Sequence, residues 1–218
     1  TDRSGEGNRA RTSQTAAAAH TAESMPHRRC WREKVGPLIA ELARGDESVA
    51  ALVLDESMDR SRPTAADRAL AQTLPSIAID TEAGPRALGI DVVARVVADL
   101  RGSTLDEPSP GLEVLREHAD RASLDRFAWA LFEAWSNDGM PAKQGWRLGA
   151  LGHLGGDASA IGLGKRVRAW ARDKQHARAA LGVECLEAIG TDMALMVLND
   201  LEQTAPTLGM RDRAYHCL

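Results

Sequence analysis

The sequence contains few aromatic residues, few cysteines and no long apolar run. Its aromatic residues are five Trp, two Phe and one Tyr. No segment approaches the ~20 apolar residues that a membrane-spanning helix needs, so a membrane protein is excluded. The three cysteines, Cys30, Cys185 and Cys217, are odd in number and far apart. A disulfide scaffold is therefore not expected, and reduced thiols favour a cytoplasmic protein.

A strong excess of charge is also absent. The formal net charge is −4, with a sequence pI near 5.9. Such a chain has no overall attraction to nucleic acid or to anionic membranes, so neither is favoured as a partner.

The first part of the chain lacks core-forming residues. Residues 1–24 contain no Leu, Ile, Val, Met, Phe, Trp or Tyr. This segment cannot bury enough apolar surface to offset the entropy of ordering it, so we predict a disordered tail or linker at 1–27. The remainder, 28–218, is predicted to be an α-helical repeat domain, with an irregular helical part at 28–100 and helix pairs at 111–218.

The apolar residues after the tail recur at helical spacing, as in Trp31, Val35, Leu38 and Leu42. The spacing predicts an all-α fold without strands and with loops at 74–85 and 101–111. The helices predicted from it are 31–44, 47–58, 63–73, 87–100, 111–120, 123–137, 142–154, 157–172, 176–189, 192–204 and one starting near 210.

An internal repeat indicates how these helices stack. "LGHLGGDASAIGL" (151–163) aligns with "LEAIGTDMALMVL" (186–198) at an offset of 35 residues. Gly155 and Gly190 suit left-handed helix C-caps, and Asp157 and Asp192 suit N-caps of the next helix. Stacked helix pairs of this length predict a HEAT-like α-solenoid, an α-α superhelix.

The same offset aligns Arg178 with Arg213 near the end of the sequence. The last helix would then belong to an unfinished unit, so we expect this chain to be a fragment of a larger protein.

Two stretches carry a family resemblance. The first runs from "DEPSPGLEVLREHADRASLDRFAWALFEAW" (106–135) through "LGHLGGD" (151–157), and the second is "QHARAALGVECLEAIGTDMALMVLNDLEQ" (175–203). They resemble the bacterial molybdate-metabolism-regulator-like (MolR-like) proteins, many of which carry a WGR domain before a long HEAT-like region. The resemblance implies a helical scaffold within a bigger chain, with no catalytic motif to carry over. One departure is "AWARDK" (169–174), where relatives have Trp-Pro.

Half of the aromatic residues lie in "FAWALFEAW" (127–135). At 100° per residue, Phe127, Leu131, Phe132 and Trp135 share one arc, which predicts a core-facing stripe. Trp129 lies on the far side of this helix. We expect it to pack against the adjacent repeat, with a ligand contact as the less favoured alternative.

No catalytic, cofactor or metal site is predicted. "IGLGK" (161–165) lacks the first glycine and the Ser/Thr of a phosphate loop. The pairs His27/Cys30 and His216/Cys217 lack the second pair of ligands of a zinc site. There is no nucleophile motif, and His153 is interpreted as a satisfied core histidine.

Basic residues form the one feature that remains. Lys165, Arg168 and Arg172 share a face of the predicted helix 157–172, with Arg166, Lys174 and Arg178 nearby, and within 161–180 only Asp173 opposes them. Together with Trp129 they are the candidate interaction surface. A plain solvated face is the alternative interpretation.

The favoured function is a non-enzymatic scaffold or protein-interaction segment of a larger bacterial cytoplasmic protein, with regulation as a candidate role. Its expected partners are an unidentified protein and the rest of the parent chain. Two alternatives stay open: a regulatory arm of an enzyme whose active site lies elsewhere, and nucleic-acid binding through the basic stripe at 165–178.

Overall fold

The computed structural model describes residues 62–81, 84–204 and 208–217. The predicted tail at 1–27, the helices predicted at 31–44 and 47–58, and the His27/Cys30 pair lie outside these ranges. Within the described part, the prediction of a mainly helical protein is confirmed.

The helices follow the predicted segments closely in the second half of the chain. Predicted helix 142–154 is interrupted, because a short 3₁₀ helix, Ala142–Gln144, precedes α5. The α-helices of the described part are α1 (Ala65–Ala71), α2 (Ile90–Gly102), α3 (Pro110–His118), α4 (Arg121–Asn137), α5 (Trp146–Leu154), α6 (Asp157–Arg172), α7 (His176–Ile189), α8 (Asp192–Thr204) and α9 (Leu208–His216).

The prediction of a chain without strands is wrong at one place. Strands β1 (Ala78–Thr81) and β2 (Gly84–Ala87) form an antiparallel pair that begins in the predicted loop 74–85 and ends at Ala87, where a helix was predicted to start. The other edge of β1 is held by the start of α4: the Asp120 amide donates to the Ala78 carbonyl, and the Ala78 amide donates to the Ser123 hydroxyl. Pairing across more than 40 residues of sequence stabilises β1, so local patterning did not reveal it.

From α4 onward the helices are arranged in two rows. Helices α4, α6 and α8 contact one another in sequence, and α5, α7 and α9 do the same. Each helix of the first row also contacts its successor in the chain, giving the pairs α4–α5, α6–α7 and α8–α9. The two rows therefore form two layers around a shared apolar core.

The aromatic stripe of α4 lies in that core, as predicted. Phe127, Leu131 and Phe132 are fully buried, and Trp135 is nearly so. The ring of Phe132 contacts Trp170 of α6 edge-on, with centroids 6.1 Å apart. Burying each of these side chains contributes roughly 1.5–3 kcal/mol to the free energy of unfolding.

The expected N-caps at Asp157 and Asp192 are wrong. Both residues are exposed first-turn positions of α6 and α8. The carboxylate of Asp125 on α4 accepts instead from the amides of Gly156 and Ser159, at 2.8 and 3.2 Å. A carboxylate from a neighbouring helix thus caps the start of α6, and Asp157 does not act as its cap.

The start of α8 also has a cap other than the predicted one, and the two predicted glycine C-caps differ from each other. The hydroxyl of Thr191 accepts from the Ala194 amide, so Thr191 occupies the place predicted for Asp192. Gly190 has φ +63°, as expected for a left-handed C-cap. Gly155 has φ −66°, so the same prediction is wrong there.

Replacing Asp125 with Ala should destabilise the fold by about 1–2 kcal/mol, because two amides at the start of α6 lose their acceptor. Urea unfolding followed by circular dichroism measures the change. Asp157→Ala is the matched control and should cost only about 0.3 kcal/mol, from the helix dipole. A larger loss for Asp157→Ala than for Asp125→Ala would contradict this assignment of the cap.

Candidate interaction surface

Trp129 lies between two parallel helices of the first row. It is half-buried, and its indole covers Gly162 of α6 so closely that a Cβ at position 162 would lie 2.4 Å from Cη2. Its ring also contacts Phe132, with centroids 5.1 Å apart. Most of the indole surface therefore serves to join α4 to α6, and only its outer part is available to a partner.

The three predicted cations of α6 do not have the same environment. Lys165 and Arg172 are exposed, and neither forms an ion pair with another described residue. The guanidinium of Arg168 instead pairs with the Asp200 carboxylate of α8. The sequence analysis considered acidic residues only within 161–180. It therefore did not include Asp200, which is 32 residues from Arg168 along the chain. The basic stripe is thus reduced to Lys165 and Arg172, with exposed Arg166 beside them.

Arg178 does not belong to the stripe. Its guanidinium donates to the Met140 carbonyl at 3.0 Å and to Oε1 of Gln175, and it lies 5.9 Å from the ring centre of Trp135. The indole N–H of Trp135 donates in turn to the Pro141 carbonyl. These bonds brace the turn after α4, where Met140 has φ +57°. The role of Arg178 is structural.

Two exposed apolar side chains accompany the cations. Ile161 of α6 is 42% exposed and Met196 of α8 is 65% exposed. Sequence reasoning did not select either of them. The repeat alignment held the signal, because the 35-residue offset aligns Ile161 with Met196.

The relative heights of these side chains follow from contacts between α6 and α8. A Cβ at Gly164 would lie 2.5 Å from Val197, and one turn later Arg168 meets Asp200. The two helices are therefore parallel, and Met196 stands between the heights of Ile161 and Lys165. We call this region the outer α6 surface; it consists of Trp129, Ile161, Lys165, Arg166, Arg172 and Met196.

This surface offers exposed charge and exposed apolar area. The glycines of "IGLGK" lie inside α6 and face Trp129 and Val197, so they form no phosphate-binding loop. Across the described ranges, no group of three or more His, Cys, Asp or Glu side chains is placed to hold a metal ion. None of the helices described is long and apolar enough to cross a membrane.

Two titratable groups in the core are held neutral. Burial, together with the nearby Arg116, lowers the pKa of His153 to about 4. Its ring is buried as predicted, but no hydrogen bond joins it to another described side chain or carbonyl. Burial raises the pKa of the Cys185 thiol to about 12. Cys185 and Cys217 are both free.

Part of the chain is similar to a known bacterial protein. The chain is 38% identical over 104 residues to a protein of Escherichia coli (strain K12) known as uncharacterized protein YehI. The aligned part covers 48% of this chain and 9% of that protein, so the chain spans less than a tenth of this relative's length. No protein-family model matches the chain, and no solved structure matches it.

Gly162→Ala should destabilise the protein by about 1–3 kcal/mol, because the added methyl group displaces the Trp129 indole. Gly149→Ala is the matched control, since a Cβ there has no neighbour within 4 Å. In a helix interior it should stabilise by about 0.5–1 kcal/mol. Thermal unfolding of both variants measures the difference. Equal stabilisation by both changes would show that Trp129 does not need Gly162.

Acidification should weaken the fold through His153. Its folded-state pKa of about 4 lies below its ordinary value of 6.5, so the unfolded chain takes up the proton first as the pH falls. The stability is complete above pH 6.5 and is lost toward pH 4, by about 2 kcal/mol between pH 7 and pH 5.

Urea unfolding at pH 7 and pH 5 checks this expectation. In His153→Leu the part of the pH dependence due to this group should disappear. His176→Leu, at an exposed position at the start of α7, should keep the wild-type pH dependence. A wild-type slope in His153→Leu would contradict the role assigned to this histidine.

Proposed function

We propose that this chain is a HEAT-like helical-repeat segment of a larger bacterial protein and that it acts as a non-enzymatic protein-interaction scaffold. The observation that carries the proposal is the outer α6 surface. Exposed cations and exposed apolar side chains lie there together on the parallel helices α6 and α8. Such a mixture favours a protein partner, because apolar anchors and charges each contribute to a protein interface.

The layering of the helices supports the repeat assignment. Residues aligned by the 35-residue offset have matching burial: Leu163 and Leu198 are both fully buried, and so are Ala179 and Ala214. The main contacts of each helix pair from α4 onward are with the neighbouring pair along the rows, as in quasi-one-dimensional repeat proteins. On this proposal α4–α5, α6–α7 and α8–α9 are successive units.

The wider assignments follow from the same proposal. The small share of YehI that the match covers supports a place within a longer chain. Membership of the MolR-like family accounts for a helical scaffold without a catalytic motif. A cytoplasmic location is supported by the free thiols of Cys185 and Cys217, which a reducing compartment preserves.

Site-specific photo-crosslinking in the host cell tests the proposal. A photoreactive phenylalanine analogue at position 165 or 196 should capture a protein at a discrete mass. The same analogue at Glu187, exposed on α7 in the other row, should not. Equal labelling at all three positions, or none at any of them, would oppose an interaction role for this surface.

A further inference from the structure

The outer α6 surface lacks anions of its own. From Ile161 to Arg172 the helix carries no acidic residue. Some cations elsewhere in the described part pair with carboxylates, as in Arg101–Asp67, Arg147–Asp138 and Arg213–Glu184. Lys165, Arg166 and Arg172 have no such carboxylate among the described residues. A ligand that supplies carboxylates therefore complements this face.

The spacing of the groups specifies the ligand further. Lys165 and Arg172 are separated by two helical turns, about 10 Å along the axis of α6. Two carboxylates seven residues apart on a helix span the same distance. Ile161 lies one turn before Lys165 on the same face, and Met196 rises beside them from α8. A complementary helix needs apolar side chains next to its acidic ones.

Nucleic acid fits the same face less well. A phosphate backbone that follows the cations of α6 would leave the exposed side chains of Ile161 and Met196 without an apolar partner. These neighbours favour a protein ligand, in which charge and apolar area alternate.

We propose that the outer α6 surface binds an acidic amphipathic helix of a partner protein, with its carboxylates on Lys165 and Arg172 and its apolar side chains on Ile161 and Met196. This inference rests on the proposed function and names its partner class. Helix-on-helix binding through an apolar stripe flanked by charge is a general mode of peptide recognition.

Fluorescence anisotropy with the full chain tests the pairing. The probe is a labelled helical peptide of Leu and Glu with Leu at i, i+3, i+4 and i+7. Lys165→Glu with Arg172→Glu should weaken its binding by about tenfold or more, and high salt should weaken binding to the wild type. Lys143→Glu with Arg86→Glu makes the same charge change at exposed positions away from α6, and should leave affinity within about twofold.

A second pair of variants tests the apolar part. Ile161→Ser with Met196→Ser should weaken binding of the Leu/Glu peptide by about fivefold, and should not affect the weaker binding of an all-Glu peptide. Circular dichroism of each variant establishes that the helices remain folded. Unchanged affinity in both pairs of folded variants would overturn the proposal.

Two further outcomes would also overturn it. One is no detectable binding of the Leu/Glu peptide at low salt. The other is tighter binding of a DNA or RNA duplex that is lost in the Lys165→Glu, Arg172→Glu protein. Crosslinking at position 165 separates this failure from that of the scaffold role. A captured protein without peptide binding rejects only the acidic helix, whereas the absence of both rejects the scaffold role as well.

Discussion

Two glycines on opposite sides of α6 allow its neighbours to approach closely. Gly162 receives the indole of Trp129 from α4, and Gly164 receives the side chain of Val197 from α8. A methyl group at either position would meet those atoms well inside van der Waals contact. Both neighbours fit against the flanks of α6, so the three helices lie side by side in one row, and their apolar faces meet the second row behind them.

Polar contacts then fix the register of this row. Asp125 of α4 caps the start of α6, and Arg168 of α6 pairs with Asp200 of α8. Each contact joins one helix pair to the next, so the pairs cannot slide without losing a hydrogen bond to a charged group. Arg178 of α7 has a related role, because its hydrogen bond to the Met140 carbonyl holds the turn that follows α4.

Once the flanks and the inner face of α6 are occupied, one side of the helix remains. Ile161, Lys165 and Arg172 lie on that side, and Met196 of α8 adjoins it. The packing that involves Trp129 and Arg168 therefore also determines which side chains remain exposed to a partner. For this reason the proposed interaction surface differs from the set selected by charge and aromatic character: Ile161 and Met196 enter it, and Arg168 contributes mainly to the fold.

Helical period, buried stripes and turn residues are local properties, and they were sufficient to place α4, α6, α7 and α8 within one or two residues. They were also sufficient to assign Lys165 and Arg172 to one exposed face. Contacts between distant segments were not accessible in this way. β1 bonds to Asp120 and Ser123, Asp125 caps α6, and Arg168 pairs with Asp200.

The difference between the features that the sequence predicted and those that it missed has one physical cause. A residue's periodicity is set by its near neighbours in the chain, whereas its hydrogen-bond or ion-pair partner is set by which helices pack side by side. Residue type and spacing alone specified a helical protein with its core stripe and its basic face. Packing against α4 and α8 decided which of those side chains stay exposed, because only the assembled rows bring residues 30 or so positions apart within bonding distance.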